Sequence, residues 1–394
     1  MFSVRLPGSK SESQRALMMS CYSDGIEIEN ISNSEDTALL SKAVCDLKKA
    51  KHLPNKTLTI NCGDAGSVWR FLHPAVMLFG ISADFKCSER LSRRPIGALK
   101  ETLCNIGAEG GECSVDTSQT SQFASALLLA APLFKNGLIL HLGKKKASMP
   151  YIDMTVSMMK SQDIDIIIDN ETIIVPKSRY STKKIRIESD WSAAAFWYEI
   201  IAVTCSDERF KNIKVKLECL CRDSLQGDSI AAELFKKTGV ETSFVDDGIV
   251  LRYSKKSALQ HISFDFSNHP DLFPAFAVTC AALGIDAHLT GLENLILKES
   301  DRVTSVVSQL KTMGADIEVG ESEVTIRPST LIIPEGTTLK SFNDHRIAMA
   351  FAPLTLLSKD TKIEGKESVG KSYPDFWRDF EAFAEYRRYI ANIF

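Results

Sequence analysis

The chain has 394 residues, of which 44% are hydrophobic and 25% charged, and this is typical of a globular protein long enough for about two domains. A net charge of -3 argues against a protein built to coat nucleic acid, because the basic residues leave no surplus. No run of about 18 apolar residues is present, so we expect neither a membrane span nor a membrane partner.

The first ten residues lack the basic and apolar regions of a secretory signal, which favours the cytoplasm. The ten cysteines are scattered singly, as expected for reduced cytosolic thiols. Cys219 and Cys221 are too close together for a zinc knuckle and have no partner pair. We therefore expect a cytoplasmic protein without a structural metal.

Six short polar segments each run directly into an apolar, alanine-rich stretch, and each predicts the start of a helix. They lie at 8–11, 64–67, 118–122, 188–190, 270–271 and 343–346. The first N–H groups of a helix have no partner inside the helix and lie at the positive end of its dipole. Polar loops at such places are typical anion sites, and six of them indicate an anionic ligand.

A second pattern recurs between these segments. It consists of an amphipathic helix, a break that is usually glycine, and two short β-branched runs joined by a polar turn. Residues 301–327 show it best, with Gly314 as the stop. The other copies are 95–115, 151–175 and 226–252, with weaker ones opening at Asp36 and Pro374. Two domains of three units each explain this spacing better than one open array.

Charged motifs mark several of the helix starts. Lys-Glu-Ser-Asp-Arg at 298–302 places two cations and two carboxylates at one junction, where Ser300 or Asp301 could also be a plain N-cap. At 343–346, capping explains the Asn or the Asp but not the His and Arg beside them. Gly-Ser-Lys-Ser at 8–11 lacks the spacing of a Walker motif, which disfavours a nucleotide-binding loop.

Further stretches complete a recognisable set. They are 6–11 with Arg15, 94–97, 121–128, 148–152, 226–228 and 371–374. Together with 298–302 and 343–346, in this order, they give the chain a resemblance to the 5-enolpyruvylshikimate-3-phosphate (EPSP) synthase family along nearly its whole length.

The resemblance implies an α/β protein with the two-domain enolpyruvyl transferase fold, in which each domain holds three βαβαββ repeats around parallel helices. It places the N-terminal domain at 9–188 and the C-terminal domain at 1–8 and 189–394. The implied reaction transfers the enolpyruvyl group of phosphoenolpyruvate to the 5-hydroxyl of shikimate 3-phosphate and releases phosphate. This addition and elimination belongs to the shikimate pathway, which leads to chorismate and the aromatic amino acids.

Such a reaction needs cations for three anionic groups, an acid and a base, but no metal and no redox cofactor. The expected partners are therefore the two small substrates, with no nucleic acid and no membrane, and a monomer is expected. Glyphosate is expected to occupy the phosphoenolpyruvate site.

The resemblance also assigns site residues. Those on phosphoenolpyruvate positions are Lys10, Gly66, Arg94, Gln122, Arg302, Arg346 and Lys371. Those on shikimate 3-phosphate positions are Ser11, Arg15, Thr120, Ser121, Gln122, Ser148, Tyr151, Asp271, Asn294 and Lys298. The proton-transfer carboxylates are Asp271 and Glu299, assisted by Lys10, His345 and Lys371. Arginine suits the substrate carboxylate because its planar fork pairs with two oxygens.

Several of these residues have structural alternatives. Asp271 could simply cap a helix, and Tyr151 could belong to the core. His345 could be a buried histidine that orients Glu299 instead of donating a proton. Gln-Gly-Asp at 226–228 favours a turn and a cap over contact with substrate.

One segment departs from the family pattern, because Asp64 stands where an asparagine is usual. A carboxylate there opposes binding of an anion unless Lys10 or Arg94 neutralises it. This residue is the one feature that favours a non-catalytic, anion-binding relative, whereas the retained acid and base groups speak against it.

The other alternative is the related family that transfers the same group to UDP-N-acetylglucosamine. That family has a catalytic cysteine five residues before the arginine that matches Arg94. Here Glu89 occupies the position, and Cys87 lies two residues away. The motif at 298–302 and Ser-Gln at 121–122 also favour the shikimate family.

Overall fold

The computed structural model describes residues 1–51, 57–118, 120–143, 148–296 and 298–392. The chain forms two compact units, an N-terminal unit, Gly8–Ile187, and a C-terminal unit made of Met1–Pro7 and Glu188–Phe394. Each unit has its own buried hydrophobic core. In the described ranges every helix is too short or too polar to cross a membrane.

Helices and strands alternate along most of the chain. The helices are α1 (Lys10–Tyr22), α2 (Glu35–Ala50), α3 (Gly66–Leu78), α4 (Glu89–Ser92), α5 (Gly97–Ile106), α6 (Gln122–Ala130), α7 (Met149–Ser161), α8 (Trp191–Cys205), α9 (Ala231–Lys236), α10 (Phe273–Leu283), α11 (Arg302–Thr312), α12 (His345–Phe351) and α13 (Phe376–Ala391). The strands are β1 (Phe2–Arg5), β2 (Ile28–Glu29), β3 (Leu58–Gly63), β4 (Ala83–Cys87), β5 (Gly111–Val115), β6 (Leu138–Leu142), β7 (Ile167–Asp169), β8 (Thr172–Val175), β9 (Ile185–Arg186), β10 (Lys214–Glu218), β11 (Val240–Val245), β12 (Gly248–Tyr253), β13 (His261–Asp265), β14 (Asp286–Thr290), β15 (Asp316–Val319), β16 (Val324–Arg327), β17 (Thr338–Lys340) and β18 (Lys362–Glu364). This mixture confirms the predicted α/β class.

Three sheets share one topology. Their strand orders are β5-β6-β8-β7 in the N-terminal unit, and β1-β10-β12-β11 and β13-β14-β16-β15 in the C-terminal unit. In each sheet the first two strands are parallel and the rest antiparallel. In the sheets β5-β6-β8-β7 and β13-β14-β16-β15 one helix, α6 or α10, connects the first strand to the second, and another, α7 or α11, leads into the hairpin, which is the βαβαββ unit. In the sheet β1-β10-β12-β11 the chain passes from β1 through the whole N-terminal unit before α8 leads to β10, and α9 leads into the hairpin. The sheets β2-β9, β3-β4 and β17-β18 show only a parallel pair among the described residues.

All six predicted helix starts are confirmed, and they open α1, α3, α6, α8, α10 and α12. These helices are buried over most of their length, and in α12 every residue is buried. A helix that is apolar on all sides must lie inside its unit, which explains the alanine-rich sequences of α6, α8, α10 and α12. Helix α1 differs, because it also buries polar residues such as Glu12 and Arg15. The polar first residues of these helices lie next to loops, and binding and catalytic residues are often found on loops.

The predicted helix and hairpin of 151–175, 226–252 and 301–327 are confirmed. The prediction for 95–115 is wrong in part, because α5 is followed by the single strand β5. Gly107, Gly110 and Gly111 all have positive φ in this stretch. The chain therefore turns where the sequence pattern predicts a first strand.

Glu199 lies inside α8, fully buried, and neither of its carboxyl oxygens has a partner among the described residues. Burial holds the pKa of Glu199 well above its ordinary value, because the folded protein favours the protonated form of this group. In the unfolded chain it ionises near pH ~4.3. The free energy of unfolding should therefore fall as the pH rises above that value.

We expect Glu199→Gln to weaken this pH dependence, since an amide does not ionise. The free energy of unfolding, obtained from urea unfolding at several values between about pH 5 and about pH 8, measures this dependence. Glu233→Gln, on the exposed side of α9, is the matched control and should behave as the parent does. An unchanged slope in Glu199→Gln would mean that the buried carboxyl does not set the pH dependence.

Candidate active site

Arg302 is the centre of a buried ion-pair cluster in the C-terminal unit. Its side chain is 1% exposed, and it donates hydrogen bonds to Asp344 at 2.9 Å, Asp271 at 2.7 Å and Glu299 at 2.9 Å. Burial alone would lower the pKa of Arg302, but the three carboxylates together hold that pKa above its ordinary value. One rigid guanidinium therefore fixes the positions of three carboxylates.

The local sequence explains how these groups reach each other. Arg302 is the first residue of α11, which Asp301 caps by accepting a hydrogen bond from the Thr304 N–H at 3.1 Å. Asp344 caps α12 in the same way, accepting from the Arg346 N–H at 2.9 Å. Two helix starts of the C-terminal unit thus supply both ends of the Arg302–Asp344 pair.

Asp271 lies among three cations. Its two oxygens accept from Arg302 at 2.7 Å and from Arg346 at 2.8 Å, and Lys298 Nζ lies 3.9 Å away. Burial alone would raise the pKa of Asp271, but Arg346, Lys298 and Arg302 hold it well below its usual range. The N-cap position of α10 belongs to Leu272, so helix capping does not explain Asp271.

Glu299 and Lys371 form a second carboxylate–cation contact. Glu299 Oε1 lies 3.2 Å from Lys371 Nζ, while the other oxygen accepts from Arg302. Their side chains are 11% and 9% exposed. Such a pair can hold and exchange a proton while remaining within reach of a ligand.

The cluster contains one residue that the sequence motifs did not assign to the site. Asp344 is fully buried and accepts from Arg302 and from the Ser300 hydroxyl, whereas the sequence predicts it only as one of two possible helix caps, the other being Asn343. Its neighbour His345 is also buried, with Nδ1 3.7 Å from Asp344 Oδ1. The signal that could have found Asp344 is its place in the same motif as two predicted site residues.

The predicted residue Asn294 is different. It is half-buried in the turn Glu293–Leu295, and its side chain makes no hydrogen bond to any residue that the structure describes. The other predicted residues of this unit make up the cluster with Asp344. It then has four cations, from Lys298, Arg302, Arg346 and Lys371, and three carboxylates, from Asp271, Glu299 and Asp344.

In the N-terminal unit Arg15 is buried and makes internal contacts. Its guanidinium donates to the Thr155 hydroxyl at 2.7 Å, to the Ser11 and Tyr151 carbonyls at 2.8 and 2.9 Å, and to the Ser125 hydroxyl at 3.2 Å. Burial lowers the pKa of Arg15 to about 10. These contacts join α1, α6 and α7, so the residue predicted to bind shikimate 3-phosphate also has a structural role.

Gly66 opens α3 beside two guanidinium groups. A Cβ atom there would lie 2.8 Å from Arg70 Nη1 and 3.2 Å from Arg94 Nη1. Arg70 is 1% exposed and donates to Gln122 Oε1 at 2.5 Å and to the Pro95 carbonyl at 2.9 Å. Arg70 therefore positions the predicted ligand Gln122, a role that the sequence motifs did not assign.

Two further cations of this unit, Lys10 and Arg90, pair with aspartates. Lys10, the first residue of α1, has its Nζ 3.0 Å from Asp36. Asp64 pairs with Arg90 at 2.9 Å and accepts from the Ser88 hydroxyl. Arg90 thus lies beside Asp64, a cation that the sequence argument on Lys10 and Arg94 does not include.

The predicted hydroxyl groups lie at three helix starts, and Ser11 is the second residue of α1. Ser148 is the N-cap of α7 and has a left-handed backbone, with φ of +56° and ψ of +41°. This conformation costs a non-glycine residue about 1 kcal/mol, and such strain is typical of functional sites. Ser121 is the N-cap of α6, and Thr120 accepts from the Gln122 N–H at 3.2 Å. Tyr151 is half-buried, with its ring 5.9 Å from Arg15 Cζ.

The motif at 226–228 has the structural role that was predicted. Gln226 accepts from the Trp191 N–H at 2.9 Å and donates to the Ser189 carbonyl at 2.8 Å. Asp228 accepts from the Ser192 hydroxyl at 2.5 Å. These bonds hold the start of α8.

A family model described as EPSP synthase (3-phosphoshikimate 1-carboxyvinyltransferase) matches residues 2–380. A Bacteroides fragilis protein named 3-phosphoshikimate 1-carboxyvinyltransferase is 31% identical over 399 residues, covering 95% of this chain and 93% of the relative. A protein of the same name from Methanospirillum hungatei is 29% identical over 417 residues, covering 96% and 95%.

Solved structures agree in fold. An EPSP synthase from Acinetobacter baumannii matches with a TM-score of 0.75 at 21% identity, covering 97% of this chain and 95% of that one. The enolpyruvyl transferase NikO from Streptomyces tendae matches with a TM-score of 0.69 at 14% identity, covering 97% and 94%. These likenesses confirm the predicted enolpyruvyl transferase fold.

Proposed function

This chain belongs to the EPSP synthase family. We propose that the buried ion-pair cluster around Arg302 transfers protons while the enolpyruvyl group of phosphoenolpyruvate passes to the 5-hydroxyl of shikimate 3-phosphate. The activity is that of a 3-phosphoshikimate 1-carboxyvinyltransferase, a transferase of aromatic amino-acid biosynthesis. We further propose that the two compact units are the two domains of this family.

The proposal rests on one observation: Arg302 donates hydrogen bonds to both predicted proton-transfer carboxylates, Asp271 and Glu299. Asp271 and Glu299 each accept from a different Nη atom of this guanidinium. Two groups held by one planar fork keep a fixed separation, which general acid–base catalysis of two linked steps requires. A site that only bound anions would need the cations but not these carboxylates.

In the addition step, the methylene carbon of phosphoenolpyruvate gains a proton and the 5-hydroxyl attacks the carbon beside it. We assign the hydroxyl proton to Asp271, which is ionised at neutral pH. Its surrounding cations make it a weak base before substrate binds. Anionic substrates that draw Arg346 and Lys298 away would raise the pKa of Asp271 and make it a better base.

In this proposal Glu299 and Lys371 transfer the proton that is added to the methylene carbon of phosphoenolpyruvate and later removed from it. Their 3.2 Å contact lets Lys371 resupply a proton to Glu299, which gives it to the methylene carbon and takes one back from the resulting methyl group during elimination. Phosphate leaves in that second step as its C–O bond breaks, and it takes up the proton that Asp271 had accepted, so that Asp271 is ionised again. His345 lies beside Asp344 at the start of α12, where it assists by holding this end of the cluster.

For the N-terminal unit we keep the binding roles of Lys10, Arg94 and Gln122. Gln122 supports this assignment, because Arg70 fixes its side-chain oxygen and leaves its amide hydrogens for a ligand. The Arg94 side chain makes no hydrogen bond with any other described residue, so its donors are available to an anion. Ser11, Thr120, Ser121, Ser148, Tyr151 and Asn294 are proposed contacts of shikimate 3-phosphate.

A coupled phosphate-release assay tests the function. Purified protein with phosphoenolpyruvate should release phosphate when shikimate 3-phosphate is added, and not when UDP-N-acetylglucosamine is added. Release only with the amino sugar would favour the related cell-wall activity. No release with either acceptor, from protein that binds phosphoenolpyruvate, would favour a non-catalytic relative.

Gly66→Ala tests the placement of the phosphoenolpyruvate site. The new methyl group must displace the Arg70 guanidinium, which holds Gln122, and it crowds Arg94. A lost hydrogen bond to a charged group costs about 1.5–3 kcal/mol, so we expect the KM for phosphoenolpyruvate and the inhibition constant for glyphosate to rise at least about tenfold.

Gly97→Ala is the matched control, because a Cβ there meets no atom within 4 Å. It should leave both constants near the parent values. If Gly66→Ala binds phosphoenolpyruvate and glyphosate normally, the start of α3 does not line this site.

A further inference from the structure

Two cysteines without a role in the proposed chemistry lie side by side in the N-terminal unit. Cys62 is in β3, Cys87 ends β4, and the two strands are parallel neighbours. Asn61 pairs with Lys86 and Gly63 pairs with Cys87, so Cys62 is the extra residue of a bulge opposite Cys87. Gly63 has a φ of +49°, as the bulge requires.

The two thiols lie on the same face of this sheet. Cys62 is fully buried in the core of the unit, and Cys87 packs against that core while remaining partly exposed. The Cys62 and Cys87 thiols are near enough to each other that each shifts the pKa of the other. Neighbouring strands lie about 4.8 Å apart, which is within the ~4.4–6.8 Å between Cα atoms that a disulfide spans.

We propose that Cys62 and Cys87 form a reversible disulfide on exposure to a small-molecule disulfide such as oxidised glutathione, and that this cross-link lowers the transferase activity. The Cys87 thiolate attacks one sulfur of the small disulfide, forming a mixed disulfide and releasing one thiolate. The Cys62 thiolate then attacks the Cys87 sulfur and releases the second. In total, two protein thiols lose two protons and two electrons, and one small disulfide becomes two thiols.

The surroundings set the order of attack. Burial raises the pKa of both thiols, whereas the neighbouring Cys62 thiol and the charge of Lys100 act to lower the pKa of Cys87. Cys87 is also the more exposed of the two. Cys87 therefore reacts first and Cys62 completes the bond. Because both pKa values are raised, the reaction is slow at neutral pH and becomes faster as the pH rises.

The cross-link would act on the site through the turn that follows Cys62. The Cys62 carbonyl accepts from the Ala65 N–H at 2.8 Å, and Ala65 is the N-cap of α3, directly before Gly66. The Gly63 carbonyl accepts from the Ser88 N–H at 2.8 Å, so the same turn is tied to the residue after Cys87. A covalent bond is shorter than the thiol contact that it replaces, so it shifts this turn.

A displacement of about 1 Å near a reacting group can cost about 100-fold in rate. We therefore expect the oxidised protein to lose at least about tenfold in activity, and dithiothreitol to restore it. The activity part of this inference depends on the proposed function, whereas the cross-link itself does not.

The test incubates the full-length protein with oxidised glutathione at mildly alkaline pH and digests it with trypsin without reduction. Mass spectrometry should show fragment 57–70, which contains Cys62, linked to fragment 87–90, which contains Cys87. Parallel assays measure phosphate release before and after dithiothreitol.

Single variants provide the controls. Cys62→Ala and Cys87→Ala should form no linked fragments and keep their activity in the oxidant, with circular dichroism confirming that they fold. Cys45→Ala, which removes an exposed thiol, should behave as the parent does.

Three results would overturn parts of the inference. Absence of linked fragments, when exposed Cys45 and Cys104 already carry glutathione, rejects the disulfide. Linked fragments with unchanged activity reject the effect on transfer. Linked fragments in a protein that shows no transferase activity even when reduced leave the disulfide standing and reject the proposed function instead.

Discussion

Asp271→Asn should lower kcat by about 100- to 10,000-fold, the usual contribution of a general acid or base, while shikimate 3-phosphate still binds. The amide has nearly the same size and keeps one oxygen for Arg302, which now donates to Asp271 at 2.7 Å. It replaces the oxygen that accepts from Arg346 with a donor, so a modest rise in KM is expected as well. Steady-state kinetics and calorimetry of shikimate 3-phosphate binding separate the two effects.

Two other substitutions make this result specific. Asp265→Asn changes an exposed aspartate that accepts from the Ser267 N–H, and it should leave kcat unchanged. Lys298→Met removes a cation 3.9 Å from Asp271 that we expect to bind the acceptor's phosphate, so it should mainly raise the acceptor KM. If Asp271→Asn binds shikimate 3-phosphate normally and turns over at the parent rate, Asp271 does not accept the proton.

The sequence predicted most of the fold because its strongest signals are local. Each of the six buried helices follows from a polar start and an alanine-rich run, both of which act within one or two helical turns. The misplaced strand in 95–115 shows the limit of such reasoning. Three glycines with positive φ turn the chain there, and sequence alone does not reveal which glycines adopt that conformation.

The sequence motifs predict which residues belong to the candidate site, but they do not predict which of these residues contact each other. Arg302, Glu299 and Lys298 belong to one motif, whereas the Arg302–Asp344 bond joins residues 42 apart in sequence. Arg70 and Arg90 likewise depend on the tertiary fold to meet Gln122 and Asp64. Capping residues and catalytic ones also share residue types, which is why the sequence predicts Asp344 only as a possible helix cap.

Arg302→Met should cost both stability and activity. Removing one partner of a buried ion pair typically destabilises by about 3–5 kcal/mol, and Arg302 is the shared partner of three carboxylates. We expect the free energy of unfolding of the C-terminal unit to fall by about that amount. Tryptophan fluorescence in urea follows this unit, because Trp191, Trp197 and Trp377 lie in it and Trp69 alone lies in the other.

The pH dependence of the free energy of unfolding is a second test of the ion pairs of Arg302. The pKa of Asp271 is lowered in the folded protein, so its contribution to stability is present above about pH 4 and is lost as the pH falls. Without Arg302, this carboxylate keeps only the cations Arg346 and Lys298. The loss of stability in acid should therefore be smaller in Arg302→Met than in the parent.

Two further arginine variants test whether the effect of Arg302 on stability and kcat comes from its charge or from the geometry of its planar guanidinium. Arg302→Lys keeps the charge but cannot bond three carboxylates with one planar fork, so we expect partial recovery of stability and little recovery of kcat. Arg327→Met removes an exposed arginine that also contacts two carboxylates, and it should change neither stability nor rate noticeably. If Arg302→Met unfolds at the same urea concentration as Arg327→Met, the buried cluster does not hold this unit together, and Arg302 serves only to bind ligand.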